Sequence, residues 1–321
     1  ALLMVTATVS ILLTVSIYGP ENGWLDPRTI GYLIAGVILV ALFIYWESRA
    51  KEPILPLELF KNHTFTLTSV LGAVIGAGMF GAIVMLPLYL QVVKGASATE
   101  AGLKLIPLML GIVTTSIFSG KAISKTGKYK KFPIMGTTLM TVGILLMVTL
   151  TRETPFWQLS IFSILVGAGL GLSMQTIVIA LQNSVDFKDM GVATSSNTFF
   201  RSLGSVFGTA LFGSILTNRV THYLESGFNE LATTNPAAVS GFDPATLEQL
   251  SSNTSVLKEL PLLVQNTALD AFVNSFHVVF LAAAPVTALG IVLALMLREA
   301  PLRTNQDYAA AREDAAGEAL G

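Results

Sequence analysis

LPLYLQVVKGASATEAGLKLIPLMLGIVTTSIFSGKAISKTGKYKK, the stretch from Leu86 to Lys131, decides the fold class. It leaves one hydrophobic span, turns through a short polar segment, crosses a second span and ends in a loop of five lysines. A helix needs about 20 mostly apolar residues to cross the hydrocarbon core of a bilayer. Lysines between two such spans mark the cytoplasmic side.

The rest of the chain agrees with this reading. Charged residues make up 12% of it and hydrophobic ones 52%, with a mean hydropathy of +0.67. Soluble domains carry about 25% charged residues, so this is the composition of a membrane protein. A net charge of −1 gives no reason to propose a nucleic-acid partner. The absence of cysteine excludes disulfides, thiolate metal sites and cysteine nucleophiles. There is no signal-peptide pattern, and Ala1 stands inside an apolar run without a cap or polar flank. The sequence is therefore expected to be the C-terminal part of a longer protein.

Eight segments are long and apolar enough to be transmembrane helices: Ala1–Tyr18, Thr29–Trp46, Thr64–Val93, Ala101–Gly120, Phe132–Leu150, Trp157–Leu181, Val192–Leu216 and Ala271–Leu297. The expected class is all-α integral membrane. Connections are short except for residues 217–270, a polar stretch containing Pro236, Pro244 and Pro261 that is expected to be a long external loop. With the C-terminus cytoplasmic, twelve cationic residues fall on inner connections: Arg49, Lys51, Lys61, the five loop lysines, Lys188, Arg298, Arg303 and Arg312. Five fall outside: Arg28, Lys94, Arg152, Arg219 and Lys258. The imbalance orients the bundle with its C-terminus inside.

Polar residues within the spans are the candidates for function. In Val192–Leu216, helical spacing puts Asn197, Arg201, Gly204 and Gly208 on one face. An arginine near the bilayer centre costs about 2.5–3.5 kcal/mol, which favours a place against protein or water. Snorkelling to the cytoplasmic surface, ~13 Å along the helix, is a long reach for one side chain. Whether Arg201 gates, contacts substrate or only braces two helices stays open. The GxxxG pairs Gly72/Gly76, Gly167/Gly171 and Gly204/Gly208 read first as close helix packing. Gly171, Gln175 and Gln182 share a face that lines a wet cavity or hydrogen-bonds a neighbouring helix. His277 has no carboxylate or second histidine near it in sequence, and no HExxH, GxSxG, phosphate loop or dinucleotide fingerprint occurs. No enzyme, metal or cofactor is expected. None of the eight spans has an Asp or Glu in its interior, so a proton-coupling carboxylate would have to lie elsewhere.

Four stretches resemble the major facilitator superfamily, and more narrowly its fourteen-helix drug/proton antiporters of the EmrB/QacA type. LPLYLQ at Leu86–Gln91, with Gly95, Ser97, Ala101, Gly102, Leu103 and Pro107, is similar to the end of the seventh core helix and the start of the eighth. Gly120 to Lys128, including Lys125 and Gly127, resembles the second-half copy of the cytoplasmic loop motif, with Ser124 where that motif has aspartate. GVATSSNTFFRSLGSVFG at Gly191–Gly208 resembles the eleventh core helix, arginine included, and AFVNSFHVVFLAAA at Ala271–Ala284 the start of the last.

The resemblance implies an extra helix pair with its cytoplasmic linker over residues 1–61. A six-helix C-terminal bundle would cover residues 62–298, followed by a cytoplasmic tail over 299–321. It implies partners as well: a missing N-terminal half, a small-molecule substrate, the lipid bilayer of the cell membrane and protons. The cavity would be lined by Thr64–Val93 and Trp157–Leu181, with Met79, Phe80, Tyr89, Gln91, Met174 and Gln175 as contacts. Ala101–Gly120 and Val192–Leu216 would slide against the other half. The function implied is proton-coupled multidrug efflux of hydrophobic or cationic compounds by alternating access. The alternatives are a permease for another solute, such as a lipid, peptide or siderophore, and a non-transporting membrane scaffold or sensor.

Overall fold

The computed structural model describes residues 26–49, 56–236 and 261–302. The first expected span, Ala1–Tyr18, most of the tail and the middle of the long connection lie outside the described residues. Within them the chain is helical, with no strand. The helices are α1 (Pro27–Glu47), α2 (His63–Ile83), α3 (Met85–Val92), α4 (Ala98–Leu103), α5 (Ile106–Thr126), α6 (Lys131–Met147), α7 (Phe156–Ser184), α8 (Met190–Thr234) and α9 (Leu262–Met296). Short 3-10 turns precede α2 and α8. These helices overlap the other seven expected spans, and among the described residues five helical segments are long and apolar enough to cross a membrane.

Two spans expected to be single helices are broken, each by a proline. Pro87 has no N–H to return to the carbonyl of Ile83, and the helix breaks at Val84 between α2 and α3. Pro107 likewise leaves the Leu103 carbonyl without its helical donor, and Lys104 and Leu105 separate α4 from α5. Between these elements the chain turns at Gly95, whose φ of +65° suits glycine. It restarts at Ser97, which forms a capping box with Glu100.

The bundle has a front row ordered α5, α7, α2, α8, with α6 and α9 behind it and packed on each other. Lipid removes the hydrophobic drive between helices, so close approach over small residues must hold the rows together. Gly167 of α7 lies against the backbone of Leu108 in α5, and Gly171 against Ile112 and Thr115. Gly204 and Gly208 of α8 lie against Ala73 and Ala77 of α2. Hydroxyls reinforce the seams. Thr115 donates to the Ala168 carbonyl at 3.0 Å and Ser116 to that of Gly171 at 3.1 Å. The packing reading of all three GxxxG pairs holds.

The expected loop over residues 217–270 needs correcting. Helix α8 continues past Leu216 to Thr234, and α9 begins at Leu262, nine residues before the expected start. At 1.5 Å per residue α8 is ~68 Å long, about twice the ~30 Å hydrocarbon core. Beyond Leu216 its apolar residues recur every three or four positions at Val220, Leu224, Phe228 and Leu231. These join a core that includes Val264, Ala268 and Phe272 of α9. The two helices therefore continue as a packed pair beyond the span.

The same end is stapled by the loop after α6. Tyr89 donates to the Thr151 carbonyl at 2.7 Å, and Lys94 donates to the carbonyls of Arg152 and Thr154. Burial holds the Lys94 ammonium below the usual lysine range. Arg152 donates to Asn266 at 2.6 Å and pairs with Asp270 at 3.4 Å, while His277 bonds the Leu150 carbonyl. His277 is thus a bracing residue.

Candidate functional site

The polar residues that matter gather where α7, α8 and α2 meet. Asn197 is 2% exposed and donates from its amide to the Thr68 carbonyl of α2 at 2.9 Å. Gly72 makes room for it, since a Cβ there would lie 3.2 Å from the Asn197 nitrogen. One turn on, the Arg201 backbone lies against Gly76, and Ser205 donates to the Gly76 carbonyl at 3.1 Å. Asn197, Gly204 and Gly208 therefore share the α2-facing side of α8, as their spacing predicts.

Asn197 works as a helix-to-helix tie. Interhelical hydrogen bonds in lipid are worth about 0.6 kcal/mol on average, so Asn197→Ala is expected to lower the thermal midpoint of the detergent-solubilised protein only slightly. A collapse of folded protein would show that the residue does more.

Arg201 behaves differently. Its side chain is half-exposed, and among the described residues no carboxylate or carbonyl meets its guanidinium. Thr194, Thr198 and Arg201 follow helical spacing on one face of α8. Across from that face, the Gln182 amide of α7 donates to the Thr194 hydroxyl at 3.2 Å. Beside this bond an open cleft of about 570 Å³ runs between α7 and α8, lined by Gln182, Met190, Gly191, Thr194, Ser195 and Thr198. No charged side chain lines it. The glutamine stripe thus divides: Gln182 bridges helices while Gln175 is exposed. Met174 is half-buried against the core.

The remaining expected contacts do not join this strip. Met79 packs on the core and the Phe80 side chain lies outside the described residues. Tyr89 is fully buried, its ring edge-on to Phe276 at 5.6 Å and its hydroxyl occupied by Thr151. That is a packing position, because the proline break turns the aromatic end of this span into the bundle. Gln91 is exposed and folds back on the Pro87 carbonyl at 3.3 Å. Both residues lie at the end of the bundle opposite the lysine loop.

In that loop Gly127 closes α5 in the left-handed conformation, φ +69°, its N–H on the Ile123 carbonyl at 2.8 Å. Gly120 sits inside α5 with open space around it, and Lys125 and Lys128 are exposed. Ser124 spends its hydroxyl on the Gly120 carbonyl at 3.0 Å. The residue that organises this end is one the motif does not include. Tyr129 is 1% exposed, donates to the Arg298 carbonyl at 3.1 Å and accepts from the Ala300 N–H at 3.0 Å. It straps the segment after α9 under the bundle, where Asn183 of α7 also holds the Pro301 carbonyl at 2.9 Å. A lone aromatic among five lysines was the available signal.

The sequence pattern of the Major Facilitator Superfamily matches residues 1–209. The chain belongs to that superfamily. It is therefore a multi-pass membrane protein of a family of transporters, not of enzymes. The chain is 33% identical to the multidrug transporter protein MdtP of Bacillus subtilis over 309 residues, 92% of this chain and 57% of that protein. It is 38% identical to an uncharacterised superfamily transporter of Mycobacterium tuberculosis, covering 96% of this chain and 43% of that one. A tetracycline resistance determinant of Streptomyces rimosus is 33% identical, with 95% and 92% covered. The chain spans about half the length of the first two. A bacterial homologue of the lysosomal transporter Spinster, in an inward-facing occupied state, shares the fold: TM-score 0.55 at 16% identity, over 92% of this chain and 67% of that one.

In this superfamily chain α7 is mostly buried, whereas α5 and α8 leave most of their spans uncovered. Uncovered apolar side chains on α5 and α8 include Leu110, Val113, Phe207 and Leu211.

Proposed function

We propose that this chain is the C-terminal portion of a fourteen-helix, proton-coupled multidrug efflux transporter. It exports hydrophobic or cationic compounds across the cell membrane by alternating access. The observation that carries the reading is Arg201: a cation inside a span, unpartnered among the described residues, one turn from an uncharged cleft between α7 and α8. A charge at membrane depth without a partner is costly in lipid, so the position suits the interface with a second half or a wet passage. The similarity to proteins named for multidrug transport and tetracycline resistance supports drug export as the direction of work.

In this reading residues 1–61 supply the extra helix pair and linker, and 62–298 the C-terminal bundle. The 299–321 tail is cytoplasmic. The uncovered faces of α5 and α8 slide against the N-terminal six helices. Gln175 and Met174 offer adaptable contacts to cargo, and the proton-coupling carboxylate belongs to the other half. The uncharged cleft lining also suits a permease for a neutral solute, which makes substrate range the deciding property.

The test is expression of the full-length protein in a drug-sensitive bacterial strain. Raised tolerance to several unrelated hydrophobic cations, with faster dye loss from preloaded cells, is the expected result. Unchanged tolerance and dye retention at verified membrane levels would contradict it.

A further inference from the structure

The lysine loop has properties that orientation alone does not require. Lys121, Lys125, Lys128 and Lys131 are exposed and Lys130 half-exposed. Among the described residues none of the five forms an ion pair; the pairs found there are Lys61–Glu58 and Arg152–Asp270. Exposed Arg298 adds charge beside them, and among the described residues of the segment after α9 one exposed carboxylate, Glu299, stands in return.

Like charges at this density would spread apart on a free loop, yet this loop is pinned. Gly127 caps α5, and Tyr129 is held through both hydrogen-bonding capacities of its hydroxyl. Tyr129, Ile123 and Leu297 share a small apolar cluster against which Phe132 and Leu302 pack. Helix α6 starts at Lys131 with no side-chain cap, which leaves its first-turn N–H groups without a side-chain acceptor.

Apolar surface continues directly from the charges into the membrane. Phe118, 62% exposed, lies three and seven residues before Lys121 and Lys125 on α5, so the three share a face. Met135, 50% exposed, lies four residues after Lys131 on α6. The rings of Phe118 and Phe132 meet edge-on at 6.5 Å and join the two helices. Cations over an apolar seam at a membrane surface match one chemistry, a phosphate headgroup with its acyl chains.

We propose that the α5–α6 end is a binding site for an anionic phospholipid, with the headgroup on Lys121, Lys125 and Lys131 and an acyl chain along Phe118, Phe132 and Met135. The Tyr129 strap holds the three cations in register. This site rests on the membrane placement of the bundle and is independent of the efflux reading.

The test uses the full-length protein in a neutral detergent, supplied with phosphatidylglycerol or phosphatidylcholine in mixed micelles. Thermal midpoint and retained lipid are measured. Phosphatidylglycerol is expected to raise the midpoint more than phosphatidylcholine, and added salt to shrink the difference. The triple change Lys121→Gln, Lys125→Gln, Lys131→Gln is expected to remove the difference and weaken phosphatidylglycerol binding roughly tenfold or more. Tyr129→Phe keeps every charge and is expected to reduce the difference in part, which also serves if the triple variant does not fold. Equal responses to the two lipids, or a lysine variant that responds like the parent, would overturn the proposal. So would an equal rise with free glycerol phosphate, which would make the loop a soluble-phosphate site.

Discussion

Arg201→Ala in the full-length protein is expected to cut dye efflux on the order of tenfold, equivalent to about 1.4 kcal/mol, with membrane levels unchanged. The reason is the mismatch between its setting and its satisfaction. Its main chain is fixed against Gly76 of α2, so the side chain leaves α8 at a defined depth. Its guanidinium meets no acceptor among the described residues. Removing a residue that braces only this bundle should lower stability, yet there is no such brace to remove. Arg201→Lys preserves charge but not the planar fork, and should fall between the two. Efflux normalised to membrane protein, alongside the thermal midpoint of each variant, separates the outcomes. Full transport in the alanine variant would return Arg201 to a snorkelling cation.

Gly204→Leu is expected to have the largest effect on folding. A Cβ at this position would overlap the backbone of Ala73, and backbone cannot rotate aside. Forcing α2 from α8 costs more than the typical ~1–3 kcal/mol of core overpacking, because the Asn197–Thr68 and Ser205–Gly76 bonds would part with it. The matched control is Gly213→Leu in the same helix, where a Cβ meets nothing within 4 Å. Folded protein recovered from membranes, measured by size-exclusion profile and thermal midpoint, should be lost for the first and retained for the second. Equal behaviour of the two would show that the α2–α8 seam is not as close as described.

Spans are legible because hydrocarbon demands apolar length, and small-residue spacing is legible because close backbones demand glycine. Residues 217–234 look like a loop by hydropathy, which judges a segment against lipid. Their Val220, Leu224, Phe228 and Leu231 stripe instead buries against α9 beyond the span. The proline breaks at Pro87 and Pro107 were present in the sequence but hidden by continuous hydrophobicity.

At the site, helical spacing groups Asn197, Gly204 and Gly208 on the α2 seam as found, because one helix fixes that geometry, but it also puts Arg201 with them, whose guanidinium makes no bond across that seam among the described residues. Pairings between distant segments were not legible. Gln182 with Thr194 crosses a turn, and Tyr129 with Arg298 and Ala300 spans most of the bundle. The burial of Tyr89 is hidden for the same reason: an aromatic near a span end can face cargo or core, and only the neighbouring Phe276 decides.

Proton-driven drug export is decided by full-length protein reconstituted in sealed vesicles with a pH gradient imposed across the membrane. A hydrophobic cationic dye is expected to accumulate against its concentration only while the gradient stands, with protons moving the opposite way, and an uncoupler to abolish both. Dye movement that is the same with and without the gradient would contradict it.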